Sequence, residues 1–164
     1  MVEAIARLCY PGAVEVGFDA GPEASAEETM ALIRTYDAIT LFEATLIFER
    51  RLARVDILKE EGNKFELIEV KSKSVDTSTG LNPLHGVHGR ILAPWERYLE
   101  DVGFQYAVLR RLIPAATIVP YLCLVDKSKS TTIESTFSKF ELDESDLEPN
   151  SRKSNSKGLR RLRP

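Results

Sequence analysis

A chain of 164 residues, 43% hydrophobic and 29% charged, has the length and composition of one soluble domain with one core. No apolar run approaches the ~20 residues that span a bilayer, and no basic-then-apolar start marks a signal peptide. The two cysteines, Cys9 and Cys123, have neither zinc-knuckle nor disulfide-scaffold spacing, so the chain is expected to be cytoplasmic, in a reducing compartment, with no membrane association. The net charge of −3 conceals an asymmetry. Arg152, Lys153, Lys157, Arg160, Arg161 and Arg163 put six bases and no acid into the last stretch; with those removed from the 22 bases, the rest holds 16 against 25 acids, a net charge of −9. Such a tail suits either contact with nucleic-acid phosphates or a solvated, disordered end. The acidic body does not exclude a nucleic-acid enzyme, because clustered carboxylates are what a Mg²⁺ site requires.

In chain order, residues 9–24 are rich in Gly, Pro and Ala and read as irregular. Ser25, with Glu28 three residues on, has the pattern of a capping box and predicts a helix over 25–37 with Met30, Ile33 and Tyr36 on one side. Three strands follow, at 40–49, 52–59 and 65–72, rich in β-branched and aromatic residues; Glu61, Gly62, Asn63 and Lys64 supply a hairpin turn between the last two. The short connections predict an antiparallel meander. Residues 73–93, rich in Ser, Thr, Gly and Asn, read as a long loop or a lid. A second helix begins near Pro94, with Trp95, Tyr98, Leu99, Val102, Tyr106 and Leu109 at three- and four-residue steps, and ends at Pro114. Residues 117–125 read as a strand whose Pro120 argues for an edge or a bulge. No packed structure is expected beyond Asp143. The order helix, three strands, helix, strand (αβββαβ) predicts an α/β fold with a central mixed sheet flanked by helices, in a domain over 1–143 followed by a basic, disordered tail over 144–164.

Chemistry concentrates on two of these strands. Alternation puts Phe65, Leu67, Glu69 and Lys71 on one face of the third strand and Ile68 and Val70 on the other. An apolar row that ends in a carboxylate beside an ammonium is unusual for a plain surface strand. On the second strand, the same rule puts Val55 and Ile57 on one side and Leu52, Arg54, Asp56 and Leu58 on the other. Pairing through the hairpin can bring Asp56 beside Glu69. Two close carboxylates repel unless a cation lies between them or one is protonated. Mg²⁺ resolves the repulsion, lowers the pKa of a bound water and polarises a phosphoryl oxygen, and Lys71 can orient that water or stabilise charge on a phosphate. By residue type alone, the trio fits either this hydrolytic site or ordinary strand charges.

At these residues, "ARVDILKEEGNKFELIEVKSKS" resembles the Asp…Glu-x-Lys core of PD-(D/E)XK nucleases and, more narrowly, the RecB/Cas4-like branch and its bacterial DUF2779 domain family. "ARLCYPGAVEV", "TLFEATLIFERRLARVDIL", "LIEVKSKS" and "DVGFQYAVLRRL" stand in that family's order, so the likeness covers about residues 5–125. The resemblance implies a restriction-endonuclease-like core, Asp56 and Glu69 as ligands of Mg²⁺ or Mn²⁺ joined by the Val70 backbone carbonyl, and Lys71 as the catalytic lysine. It implies Gln105 as a glutamine that orients the site, and Glu43 as the acidic residue preceding the aspartate, although Glu43 lies in a strand-like stretch where a helix is expected. The activity implied is metal-dependent hydrolysis of nucleic-acid phosphodiesters, DNA first. Related chains carry a further upstream segment and a further nuclease-like domain, so this chain is expected to be a fragment lacking domains or partner proteins. The missing cysteines argue against the iron–sulfur cluster of Cas4. The alternative is a catalytically inactive module of the same fold that binds nucleic acid or a partner protein.

Weaker signals surround this core. His85 and His88 have a spacing that binds metal on a helix, but Gly86 and Gly89 predict a loop. Lys73 and Arg54 suit either phosphate contacts or solvated charge. There is no Gly-rich phosphate loop and no Gly-x-Ser-x-Gly elbow, so nucleotide hydrolysis and esterase chemistry have little support.

Overall fold

Strand β2 (Ala38–Phe48), β3 (Arg51–Glu61) and β4 (Lys64–Val75) form the predicted antiparallel meander, each somewhat longer than its apolar pattern alone marks. This computed structural model describes residues 2–80, 82–86, 88–130, 140–142 and 159–161, the last two segments by their backbone. The turn between β3 and β4 uses Gly62 at φ 60°, a left-handed conformation that costs glycine little. Asn63 fixes that turn to the next element: its side-chain N–H donates to the Ala115 carbonyl at 2.7 Å, and its own carbonyl accepts from the Thr117 N–H at 2.9 Å. There β5 (Thr117–Asp126) begins, parallel to β4, after helix α3 (Ala93–Leu112) has crossed over. Pro94 lies in the first turn of α3, as its ring requires, and Pro120 lies on an outer strand of the five-stranded sheet.

The order of that sheet is β1-β2-β3-β4-β5, where β1 is the two-residue strand Val14–Glu15, parallel to β2. It is a mixed sheet with helices on both faces, in an α/β architecture. Helix α2 (Pro22–Thr35) and α3 cover one face around a large cluster that includes Ile33, Leu46, Val55, Leu67, Val102 and Leu109. Helix α1 (Val2–Arg7), which sequence pattern did not mark, covers the other face around Ala6, Phe42, Ile57 and Ile68. The expected two faces of β4 are present: Phe65 and Leu67 enter the large cluster, and Ile68 and Val70 the small one.

Three expectations need correction. Ser25 does not cap α2. Gly21 is the cap residue, Pro22 takes the first turn, and Ser25 is buried inside the helix, where its hydroxyl donates to Thr45 Oγ1 at 2.7 Å. Thr29 Oγ1 in turn accepts the Thr45 N–H at 3.0 Å. The cause is the shortness of β1, which pairs only with Leu41 and Phe42 and leaves the Thr45 amide beyond it to find a side-chain partner. The buried side of α2 is therefore Ser25, Thr29 and Ile33, and Tyr36 is exposed. On α3, Tyr106 is likewise exposed, and Gln105 and Val108 take buried positions.

Residues 2–128 form one compact unit, and residues from 129 onward group separately. In the second unit, Phe140–Leu142 (β6) pairs antiparallel with Leu159–Arg161 (β7), a short ladder where the sequence predicts no packed structure. The rest of the basic tail lies outside the described residues. Among the described residues, no helix is long and apolar enough to cross a membrane.

Candidate active site

Simple alternation fails in β2 and β3 at one shared place. Leu41 and Ala44 both lie in the large cluster with Phe42 in the small one; Val55 and Leu58 both lie in the large cluster with Ile57 in the small one. Each strand thus changes face once, at Glu43 and at Asp56. The ladder pairs Phe42 with Ile57 and Ala44 with Val55, and skips the position between, where Glu43 and Asp56 would meet. Glu43 has φ 58°, a left-handed conformation that costs a residue with a Cβ about 1 kcal/mol or more. The expectation that Val55 and Ile57 share a side is therefore wrong, because the pleat is broken between them.

On its other side, β3 pairs with β4 from Glu61↔Lys64 up to Ile57↔Ile68 and no further. The strands part where Asp56 and Glu69 would come opposite each other. There the Asp56 side chain stands in for the lost ladder: its Oδ2 accepts the Val70 N–H at 2.7 Å. Val70 thus meets Asp56 through its amide. Burial pushes the Asp56 carboxyl up to about 6, helped by the nearby negative charges of Glu69 and Glu3 and opposed by the Val70 hydrogen bond and the charge of Lys71.

Glu69 is buried, and both of its oxygens are engaged. Oε1 is 2.6 Å from Lys71 Nζ, and Oε2 accepts from Gln105 Nε2 at 2.6 Å. Burial pulls the Lys71 ammonium down, but its hydrogen bond to Glu69 and the charges of Glu69, Asp101 and Asp56 outweigh it, and the net shift is upward. Lys71 is therefore a fixed positive charge. It lies 3.6 Å from Asp101 Oδ2 and 5.5 Å from the centre of the Tyr98 ring, both on α3. Gln105 also reaches the Arg54 carbonyl, at 3.3 Å. Both groups within reach of Nε2 are acceptors, which fixes the orientation of the amide and leaves the buried Oε1 without a donor.

The expected residues thus divide into one linked group and several apart from it. Asp56, Glu69, Val70, Lys71 and Gln105 come together where β3 leaves β4. Glu43 sits across from Asp56 on the next strand and is held by arginines: Arg7 Nη2 at 2.9 Å from Oε1 and Arg54 Nε at 2.8 Å from Oε2. Burial pushes the Glu43 carboxyl up to about 7, a hydrogen bond with Glu3 adds to this, and Arg54 and Arg7 pull against it. Lys73 donates to the Pro94 carbonyl at 2.9 Å and lies 4.3 Å from the centre of the Trp95 ring. His85 is in an isolated bridge with Ile91, and neither His85 nor His88 is helical. Sequence reasoning missed Glu3, Arg7, Tyr98 as a site residue and Asp101. The only sequence signal for the first two was their i,i+4 spacing, a weak helical ion pair.

Among the described residues, no three His, Cys, Asp or Glu side chains are grouped to hold a metal by themselves. A Mg²⁺ or Mn²⁺ ion asks for less, since one or two carboxylates with retained waters are enough. Asp56 and Glu69 fit that need, and the orphaned Gln105 Oε1 fits an acceptor for a water of such an ion. No family model, curated protein or solved structure gives a significant match to this chain.

Proposed function

We propose that the chain is a metal-dependent nuclease with a restriction-endonuclease-like core of the PD-(D/E)XK kind, hydrolysing DNA phosphodiester bonds at Asp56, Glu69 and Lys71. The observation that carries this reading is the parting of β3 from β4. It leaves two carboxylates side by side, a lysine paired to one of them, and a buried amide oxygen with no donor. A buried carboxyl held well above its ordinary range beside a charge partner is the usual mark of a functional site.

Asp56 and Glu69 would hold Mg²⁺ or Mn²⁺, which when bound supplies a Lewis acid and a water of lowered pKa. Asp56 is fixed by the Val70 N–H, so its other oxygen is presented with little freedom. Gln105 holds Glu69 in place from α3 and offers Oε1 to a water proton. Lys71, charged and anchored by Glu69 and Asp101, stabilises negative charge on the phosphate oxygens and orients the attacking water. Because the surrounding carboxylates raise its affinity for the proton, Lys71 serves as a charge clamp in preference to a base.

The test is calorimetric titration of Mn²⁺ into the parent and into an Asp56→Asn, Glu69→Gln double variant, followed by cleavage assays on DNA and RNA. Binding by the parent alone, with metal-dependent cleavage that Lys71→Ala abolishes, is expected. Equal cleavage by Lys71→Ala and the parent would end this reading. Metal-independent binding of nucleic acid without cleavage would favour the inactive module, a reading to which the closed Lys71–Glu69 ion pair lends some weight.

A further inference from the structure

The nuclease reading accounts for Asp56, Glu69, Lys71 and Gln105 and leaves Arg7, Arg54 and Glu43 without a task. These three form a cluster of unusual construction beside the site. Arg7 comes from α1 and Arg54 from β3, 47 positions apart in the chain. Each guanidinium lies over a phenyl ring, Arg7 4.8 Å from the centre of Phe42 and Arg54 4.6 Å from that of Phe18. Rings of this kind hold a planar fork in a set orientation and reduce the entropy lost when it binds a second group. Both forks meet at Glu43, with one of its oxygens to each arginine, and Arg7 also pairs with Glu3 at 2.9 Å and Glu15 at 3.0 Å.

Two features show that Glu43 is not a settled partner. Its backbone is left-handed inside a strand, so it is held there at a cost. The Arg54 contact is also misdirected. Nε is 2.8 Å from Glu43 Oε2, yet the buried Nε–H makes no hydrogen bond. A buried guanidinium donor without an acceptor is costly, so an anion with more oxygens would gain what Glu43 leaves unused. A phosphate offers that number of oxygens and the geometry that paired arginine forks match. The arginine side chains retain 23% and 36% exposure, so the pair is open to solvent on one side.

We propose that Arg7 and Arg54 form a clamp for a backbone phosphate of the substrate strand, adjacent to the phosphate cleaved at Asp56, and that Glu43 occupies this clamp until the strand displaces it. The proposal rests on the nuclease reading for the identity of the strand. The clamp makes the strand compete with internal carboxylates, Glu43 at both arginines and Glu3 and Glu15 at Arg7, so a ligand that binds only weakly elsewhere does not open it.

The experiment is fluorescence anisotropy of a short, labelled single-stranded oligodeoxynucleotide in EDTA at low salt, with the full chain and with Arg7→Gln, Arg54→Gln and Glu43→Gln. Each arginine variant is expected to weaken binding about tenfold and to reduce the slope of log affinity against log salt by about one. At pH 8, above the raised value of the Glu43 carboxyl, Glu43→Gln is expected to tighten binding several-fold, because the charged competitor is gone. The opposite signs are the signature, since a purely structural ion-pair network would be loosened by all three changes. Melting curves identify any variant that fails to fold, and Arg7→Lys, which keeps the charge and loses the fork, is expected to fall between the parent and Arg7→Gln. Weaker binding by Glu43→Gln, an unchanged salt slope in both arginine variants, or no binding by the parent overturns the proposal. The assay contains no metal and reads no cleavage, so a failed nuclease reading shows itself separately, as Lys71→Ala cleaving like the parent.

Discussion

The two ends of β3 differ in kind. From Ile57 to Glu61 it is regularly paired with β4, closes in a tight turn at Gly62, and sets Leu58 beside Leu67 in the large cluster. From Asp56 backward it leaves β4, changes face, and meets Glu43 of β2 through the Arg54 side chain and Gln105 of α3 through the Arg54 carbonyl. The regular end satisfies its backbone from within the sheet. At the irregular end Asp56 accepts the Val70 N–H of β4 in place of the ladder, and burial there leaves raised carboxyl pKa values at Asp56 and Glu43 and an orphaned amide oxygen. Stability and chemistry are thus separated along the β3–β4 pair, and substitutions on its two ends should fail in different assays.

The largest expected effect is on catalysis. Lys71→Ala should lower metal-dependent cleavage by about 10²–10³-fold, the usual loss for a preorganised charge-stabilising donor. Leu67→Ala is the converse. Leu67 is fully buried, and its truncation should cost about 2–5 kcal/mol in denaturant unfolding while cleavage per folded molecule stays near that of the parent. A Leu67→Ala protein that is stable but inactive would break the separation.

Smaller effects sharpen it. Ser25→Ala removes the buried hydroxyl bond to Thr45 and should cost about 1 kcal/mol, because Thr45 Oγ1 loses its donor. The dependence on pH is smaller still. A carboxyl raised in the fold stabilises the fold when protonated. For Asp56, the gain is complete below its ordinary value of 3.8 and is lost as pH rises through about 6. The metal-free parent should therefore gain on the order of 1 kcal/mol relative to Asp56→Asn between pH 7 and pH 4, after allowance for solvent screening. An unfolding series across that range with no difference between the two proteins would show that Asp56 is not held in a costly environment.

Much of the frame around the site was legible in the sequence. The row Phe65, Leu67, Glu69, Lys71 follows from a period of two, the turn from Gly62 and Asn63, and the starting turn of α3 from Pro94. The proximity of Asp56, Glu69 and Lys71 was legible as well, because the hairpin sets the register. The break in the pleat was not. Alternation assumes an unbroken strand, and nothing in the residue type of Glu43 announces a left-handed backbone. Helix α1 escaped for another reason. Six residues cannot hold a helix by propensity, and its place comes from burying Ala6 and from Arg7 meeting a carboxylate 36 positions away. Ser25 was misread because its hydroxyl could serve either the first helical turn or a neighbouring strand, and only the shortness of β1 decides between them.

The edges of the sheet carry one more consequence. A row of free N–H and C=O groups along an outer strand invites another chain to pair with it. One edge here, β1, is two residues long, too short to template a partner. On the other, β5, Pro120 interrupts the row of donors and Tyr121 projects into solvent. Between these blunted margins, the sheet of residues 2–128 has little capacity to grow, and a concentrated solution of the chain is protected from edge-to-edge association by the same proline that the sequence pattern marks as an edge signal.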